Sequence, residues 1–180
     1  MQVNMYAASV SDRRQRELLH MTQFPLALQS HKTLNAVYEH LLDDIASQIE
    51  FDVGICYAYE KERNILVPFS FKGIQSTPSN LSVGAGISGQ VYDSNRSIFV
   101  PSRKAHPFYS QVEEEEFIDG SFISAPFSNQ SSKIGVITLV RKEGSSKSFG
   151  VEHRYMLEIA CSFIASDITS RSLYQRLDES

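Results

Sequence analysis

Cysteine is scarce in this sequence: Cys56 and Cys161 are the only two in 180 residues. Neither belongs to a CxxC pair or a Cys/His cluster, which argues against a disulfide framework and against a zinc site. Each lies within an apolar element, where a free thiol behaves as a small core hydrophobe. A basic excess is missing too. With 17 Lys and Arg against 21 Asp and Glu, the formal net charge is −4, so the phosphate attraction behind most nucleic-acid binding has no source here. No stretch approaches the roughly 18 consecutive apolar residues of a membrane span. The opening "MQVNMYAASVSDRRQ" lacks the charged start and apolar run of a secretory leader. A cytoplasmic protein with no nucleic-acid or membrane partner is expected. Nine Gly and 6 Pro give no low-complexity signature.

What is present suits one globular domain. The chain is 42% hydrophobic, 11% aromatic and 21% charged, long enough for one core and too short for two of ordinary size. Ser11 can cap a short helix from Asp12 to Met21 bearing Leu18 and Leu19, which Phe24-Pro25 would interrupt. Leu34, Val37, Tyr38, Leu41, Leu42, Ile45 and Ile49 recur at steps of three and four, predicting a helix from about Thr33 to Glu50.

The period then shortens. Val53 to Glu60 and Ile65 to Phe71 are rich in β-branched and aromatic residues and flank the polar turn Lys61 to Asn64, the pattern of a hairpin. Ser121 to Ser128 and Lys133 to Lys142 form a second pair. In the last strand Ile134, Val136 and Val140 alternate with Ile137 and Leu139, so both faces of the sheet should be covered. Between the hairpins lie a glycine segment, a short strand from Ser97 to Pro101, a loop and the acidic run Glu113 to Glu116. A long helix closes the chain from about Val151 past Leu173, with Met156, Leu157, Ala160, Ile164, Ile168 and Leu173 or Tyr174 near one face. The order predicts an α+β domain on a mostly antiparallel sheet, terminal helices on one face and the middle segment on the other.

"VGAGISGQV", residues 83–91, contains the G-x-G-x-x-G spacing of dinucleotide-binding folds, but its context is wrong for one. A turn-rich "STPSNLS" precedes it where a buried strand should stand, and the following helix, Ile87 to about Ser94, has barely two turns. No Lys-Ser or Lys-Thr follows, which excludes a P-loop. The mechanical reading is that Gly84 and Gly86 permit backbone conformations closed to other residues and Gly89 allows a close approach.

The ordered set Gly84, Gly86, Ile87, Gly89, Ser121, Pro126, Ile134, Gly135, Val136 and Phe149 resembles the GAF domain, a small-molecule-sensing module of signalling proteins. The likeness runs from about Ala27 to Tyr174. It divides the chain into a helical extension at 1–26, a GAF domain at 27–174, and the end of a signalling or linker helix at 175–180. The resemblance implies a GAF-like fold: a six-stranded antiparallel sheet with a ligand pocket under the glycine segment and middle loop, and terminal helices on the other face. In this family those helices commonly pair in a parallel homodimer that signals to a following domain.

Specific activities of the family fit less well. Lys142 and Phe149 match cyclic-nucleotide-binding members, but His153 stands where an Asp would pair with the lysine, and histidine carries no dependable negative charge. Ser102 to Phe117 contains no cysteine for a covalent bilin. The free methionine sulfoxide reductases on this fold need pocket cysteines, whereas Cys56 lies in an early strand and Cys161 in the last helix. His106 has no second metal ligand spaced with it, and Glu113 to Glu116 point in different directions on a helix, so no metal is expected. "GISG" lacks the spacing and strand of a nucleophile elbow, and no cofactor is identified.

The candidate pocket is therefore Ile87, Ser88, Tyr92, Phe99, Arg103, Phe108, Tyr109, Ser121 and Phe122. The expected function is a non-catalytic sensory domain that binds a small molecule and signals through a helical dimer. A pocketless dimerisation or docking scaffold is the alternative. A cyclic-nucleotide-binding domain and a free methionine sulfoxide reductase fit fewer of the residues.

Overall fold

The structure, a computed structural model, describes residues 23–105, 119–130, 132–144 and 147–179. Its elements are α1 (Phe24–Ser30), α2 (Leu34–Ala46), β1 (Val53–Glu60), β2 (Ile65–Lys72), β3 (Leu81–Ser82), α3 (Gly86–Ser94), β4 (Ile98–Val100), a 3-10 turn (Arg103–Ala105), β5 (Gly120–Ser128), β6 (Lys133–Lys142) and α4 (Val151–Asp178).

The predicted helix from Asp12 to Met21 lies outside the described residues. Phe24-Pro25 opens α1, a helix the sequence periodicity did not indicate, with the proline in the first turn. A proline is at home there because its missing N–H would have had no intrahelical partner. Helix α2 starts after Thr33, whose hydroxyl accepts the Ala36 N–H at 3.1 Å, and buries Val37, Leu41, Leu42 and Ile45. The capping oxygen satisfies one of the donors that a helix start leaves over.

The strands form one antiparallel sheet in the order β3-β2-β1-β6-β5-β4. β3 was hidden in the turn-rich "STPSNLS", since only Leu81 and Ser82 pair, with Leu66 and Ile65. Two apolar clusters follow from strand alternation. Cys56, Ile123, Ala125, Phe127, Ile137 and Leu139 pack under α1, α2 and α4, whereas Tyr57, Leu66, Phe122, Val136 and Val140 pack under α3. Both faces are thus covered, and the terminal helices lie opposite the middle segment. Ile134 departs from the expected alternation and packs with the helix-side cluster.

Helix α4 buries Met156, Leu157, Ala160, Cys161, Ile164, Ala165 and Ile168. Leu173 and Tyr174, expected near that face, are 57% and 69% exposed. Beyond Ile168 the helix is held by Arg171, which donates to the Leu28 carbonyl at 3.0 Å. Every described residue from Leu173 onward is exposed.

Candidate functional site

The glycine segment positions one wall of the site. Gly84 and Gly86 have φ of +86° and +62°, which folds the chain back so that the Gly84 N–H reaches the Gly89 carbonyl at 3.0 Å. A Cβ on Gly89 would stand 2.8 Å from the Ser82 carbonyl oxygen, so α3 can lie this close only with glycine there. The turn directs Ile87, Ser88, Val91 and Tyr92 onto the sheet, all buried. At the other end of α3, the Lys133 ammonium donates to the carbonyls of Tyr92 at 3.2 Å and Asp93 at 3.0 Å, a cation at the negative end of the helix dipole.

The floor is Phe122 and Ser124 of β5 with Val136, Thr138 and Val140 of β6. Thr138 Oγ1 lies 2.7 Å from Ser88 Oγ and 2.7 Å from Ser124 Oγ. All three side chains are fully buried, and the hydroxyl chain satisfies each of them while tying α3 to β5 and β6. Sequence reasoning picked out Ser88 but missed Ser124 and Thr138. Their signal was a hydroxyl in each apolar strand, at the alternation positions shared with Phe122 and Val140.

Tyr92 stacks on Tyr59 at 4.9 Å between ring centroids, and the Lys133 ammonium sits 5.1 Å from its ring centroid. Burial first, and the neighbouring Tyr59 second, push its phenol up to about 12. Arg103 is also buried, with its guanidinium over the Phe122 ring at 6.0 Å from the centroid.

Ile87, Ser88, Tyr92, Arg103 and Phe122 therefore meet on one face. Phe99 and Ser121 do not. Phe99 pairs with Ile123 and packs on the helix side, and Ser121 Oγ accepts the Phe149 N–H at 2.9 Å on that same side. Neighbouring residues of a strand point to opposite faces, so Ser121 cannot share a surface with Phe122. Phe108 and Tyr109 lie outside the described residues.

At the start of α4, Phe149 is buried beneath the Arg141 guanidinium, 4.4 Å from its ring centroid. His153 Nδ1 accepts the Gly150 N–H at 2.9 Å, a capping role at the start of α4. Cys56 and Cys161 are fully buried in the helix-side cluster. Burial raises both thiols above their ordinary range. Among the described residues no group of three or more His, Cys, Asp or Glu side chains could hold a metal ion, and no helix is long and apolar enough to cross a membrane.

A concave feature lies away from this face. It is an open cleft of about 620 Å³ between the loop Asn95–Ser97, the end of β5 and the first half of α4, with Arg96, Arg154, Glu158, Ile159 and Ser162 among its walls.

The sequence model of the GAF domain matches residues 31–168, and the chain belongs to the GAF domain family. No curated protein sequence matches it. Among solved structures, it is similar to the GAF domain of a phosphoenolpyruvate-protein phosphotransferase from Coxiella burnetii, with TM-score 0.77 and 17% identity over 91% of this chain and 98% of that one. It is similar also to the corresponding domain from Acinetobacter, with TM-score 0.73 and 16% identity over 88% and 95% of the two chains. A free methionine-R-sulfoxide reductase from Neisseria meningitidis, solved in complex with its substrate, gives TM-score 0.74 and 15% identity over 88% and 93%. At these identities the likeness establishes the fold.

Proposed function

We propose that this GAF domain is a regulatory module that senses a small molecule on the face covered by α3 and passes the result along α4 as a helix-paired homodimer, without a catalytic step. The observation that carries the reading is the outward stripe of α4. At 3.6 residues per turn, Val151, Tyr155, Ile159, Ser162, Ser166, Leu173 and Leu177 fall opposite its buried face. Tyr155 is 52% exposed and Leu177 61%, and Glu152 is the one charge on the stripe of this fully described helix. A stripe of apolar and small residues with a single charge at its start suits close packing against a second helix.

The ligand part is supported by Arg103, a buried cation against the apolar Phe122 floor, since binding sites combine apolar walls with a few placed polar groups. The substrate-bound Neisseria relative is an instance of this fold holding a small molecule. The absence of catalysis is supported by the two thiols, since nucleophilic cysteine needs access and a lowered pKa, and both are buried and raised. A cytoplasmic setting and a downstream signalling domain belong to the same proposal.

A pocketless scaffold is the second reading. The observation favouring it is that Ile87, Ser88 and Tyr92 are buried against the sheet, with the Ser88 hydroxyl engaged by Thr138. Light scattering of the purified protein, and native mass spectrometry of protein taken from its own host, separate the two. The sensory reading expects a dimer, dissociated by Tyr155→Glu with Leu173→Glu, that retains a small molecule. A dimer that retains none and gives no heat with a metabolite panel belongs to the scaffold, and a monomeric wild type overturns the dimer.

A further inference from the structure

The cleft beside α4 carries an inference independent of the α3-covered face. Its hydroxyl donors are already engaged within the protein. Ser97 Oγ donates to Glu158 Oε1 at 2.5 Å, Ser128 Oγ to Asn95 Oδ1 at 2.9 Å, and Ser162 Oγ to the Glu158 carbonyl at 3.0 Å. The guanidiniums are not. Arg96 stands exposed on the loop wall. Arg154 stands on the helix wall, its Nε closed off from solvent with no hydrogen-bond partner among the described residues. The contact it does make is with the face of the Tyr155 ring, 4.8 Å from the centroid, which leaves the N–H edge of the guanidinium unused.

An unpaired shielded donor is costly, and a planar fork of N–H groups matches the oxygens of a carboxylate or phosphate. The cleft carries two such cations against one carboxylate, Glu158, which Ser97 already engages. Its volume of about 620 Å³ lies within the range of small-molecule sites.

We propose that this cleft binds a small molecule through a phosphate or carboxylate group held between Arg96 and Arg154. The site is also placed for regulation. The loop Asn95–Ser97 ends α3, and its Ser97 bond to Glu158 is a direct polar link from that helix to α4. Ile159 and Ser162 line the cleft and lie on the outward stripe, so an occupant would touch the edge of the proposed dimer seam.

The test is a titration of the ¹⁵N-labelled chain with inorganic phosphate and, separately, with acetate at constant ionic strength. The expected result is saturable shifts of the amides of Arg96, Ser97 and residues 154–162 with at least one of the two. The tighter anion identifies the group the cleft takes. Arg96→Gln and Arg154→Gln should each weaken binding by about tenfold, the loss of one charge-assisted contact. Arg176→Gln, which removes an exposed cation elsewhere on α4, should leave it unchanged. Because Arg96 is exposed, its variant keeps the fold and the test does not depend on Arg154 alone. No saturable shift into the tens of millimolar range, shifts centred on Arg103, or equal weakening by Arg176→Gln would overturn the proposal.

Discussion

Ser88 Oγ and Thr138 Oγ1, fifty residues apart in sequence, lie 2.7 Å apart with neither side chain exposed to solvent. Thr138 also meets Ser124 at 2.7 Å, so one hydroxyl serves two buried partners. Thr138→Val keeps the shape of the side chain and removes both bonds at once. The expected cost is about 1–3 kcal/mol in urea unfolding, the desolvation penalty of buried hydroxyls left unpaired. Adding Ser88→Ala and Ser124→Ala should cost less than the three single changes summed, because the unpaired groups disappear with their partners. A neutral Thr138→Val would mean that the hydroxyl chain does not hold α3 to the sheet.

Gly135 and Gly144 should respond differently to alanine. A Cβ on Gly135 would lie 2.0 Å from the Tyr57 carbonyl oxygen and 2.6 Å from the Phe127 ring, where backbone cannot give way. Gly144 has φ +86° and open space around it. Gly135→Ala is expected to cost about 3 kcal/mol, the upper end of overpacking, and Gly144→Ala about 1–2 kcal/mol of left-handed strain. Denaturant midpoints of the two variants check the order, and a smaller loss at Gly135 would contradict the packing.

Tyr92 predicts the alkaline limb of stability. Its phenol titrates near 12 in the folded protein, against about 10 in an unfolded chain. Between these values the folded state holds more protons than the unfolded one, so this contribution is complete below pH 10 and is lost as pH rises toward 12. The unfolding midpoint of wild type should fall more steeply over that window than that of Tyr92→Phe. Parallel curves would show that the phenol does not titrate as its burial requires.

Arg171 fastens the C-terminal helix to α1 through the Leu28 carbonyl at 3.0 Å, oriented by Asp167 one turn earlier on the same helix at 2.8 Å. Arg171→Ala should cost about 1.5 kcal/mol, in the range of charge-assisted bonds, and Arg171→Lys should recover little, because a point charge does not make both contacts. Hydrogen exchange should rise first in residues 169–178 of the variant. Unchanged exchange there would place the attachment elsewhere.

Thiol chemistry gives a further check. With both cysteines buried and their thiols raised by desolvation, a disulfide reagent at pH 8 should label the folded protein only at the rate of unfolding. Rapid labelling of either residue in native buffer would contradict the burial.

The parts of the fold legible in the sequence are those set by short-range periodicity. Leu34 to Ile45 announced α2 at a step of 3.6, although the helix ends at Ala46 rather than near Glu50, and the two hairpins appeared at a step of two with nearly their observed limits. Helix α1 went unread because proline breaks a helix interior yet favours a first turn, and the residue alone does not say which. β3 was missed because two residues carry no period; they become a strand only by pairing with Leu66 and Ile65.

The candidate site was legible in half. Gly84, Gly86 and Gly89 disclosed a tight turn into a short helix, which their positive φ angles and the close approach to Ser82 now explain. Phe99 and Ser121 were drawn into the same surface because they lie in the right segments, although strand parity sends them to the helix side. Thr138 went unnoticed because a hydroxyl in an apolar strand does not say which partner it meets, and its partners Ser88 and Ser124 lie on other elements.

The sequence by itself determined the elements, the family pattern of glycines and strands, and the apolar faces, since these follow from steric limits and side-chain spacing along one segment. Only the tertiary structure decided which hydroxyls meet across fifty residues, which of two adjacent strand residues sees the α3 side, and that Arg154 faces a cleft with an unused guanidinium edge. Those outcomes depend on sheet order and helix placement, which bring together residues with no local signal of their meeting.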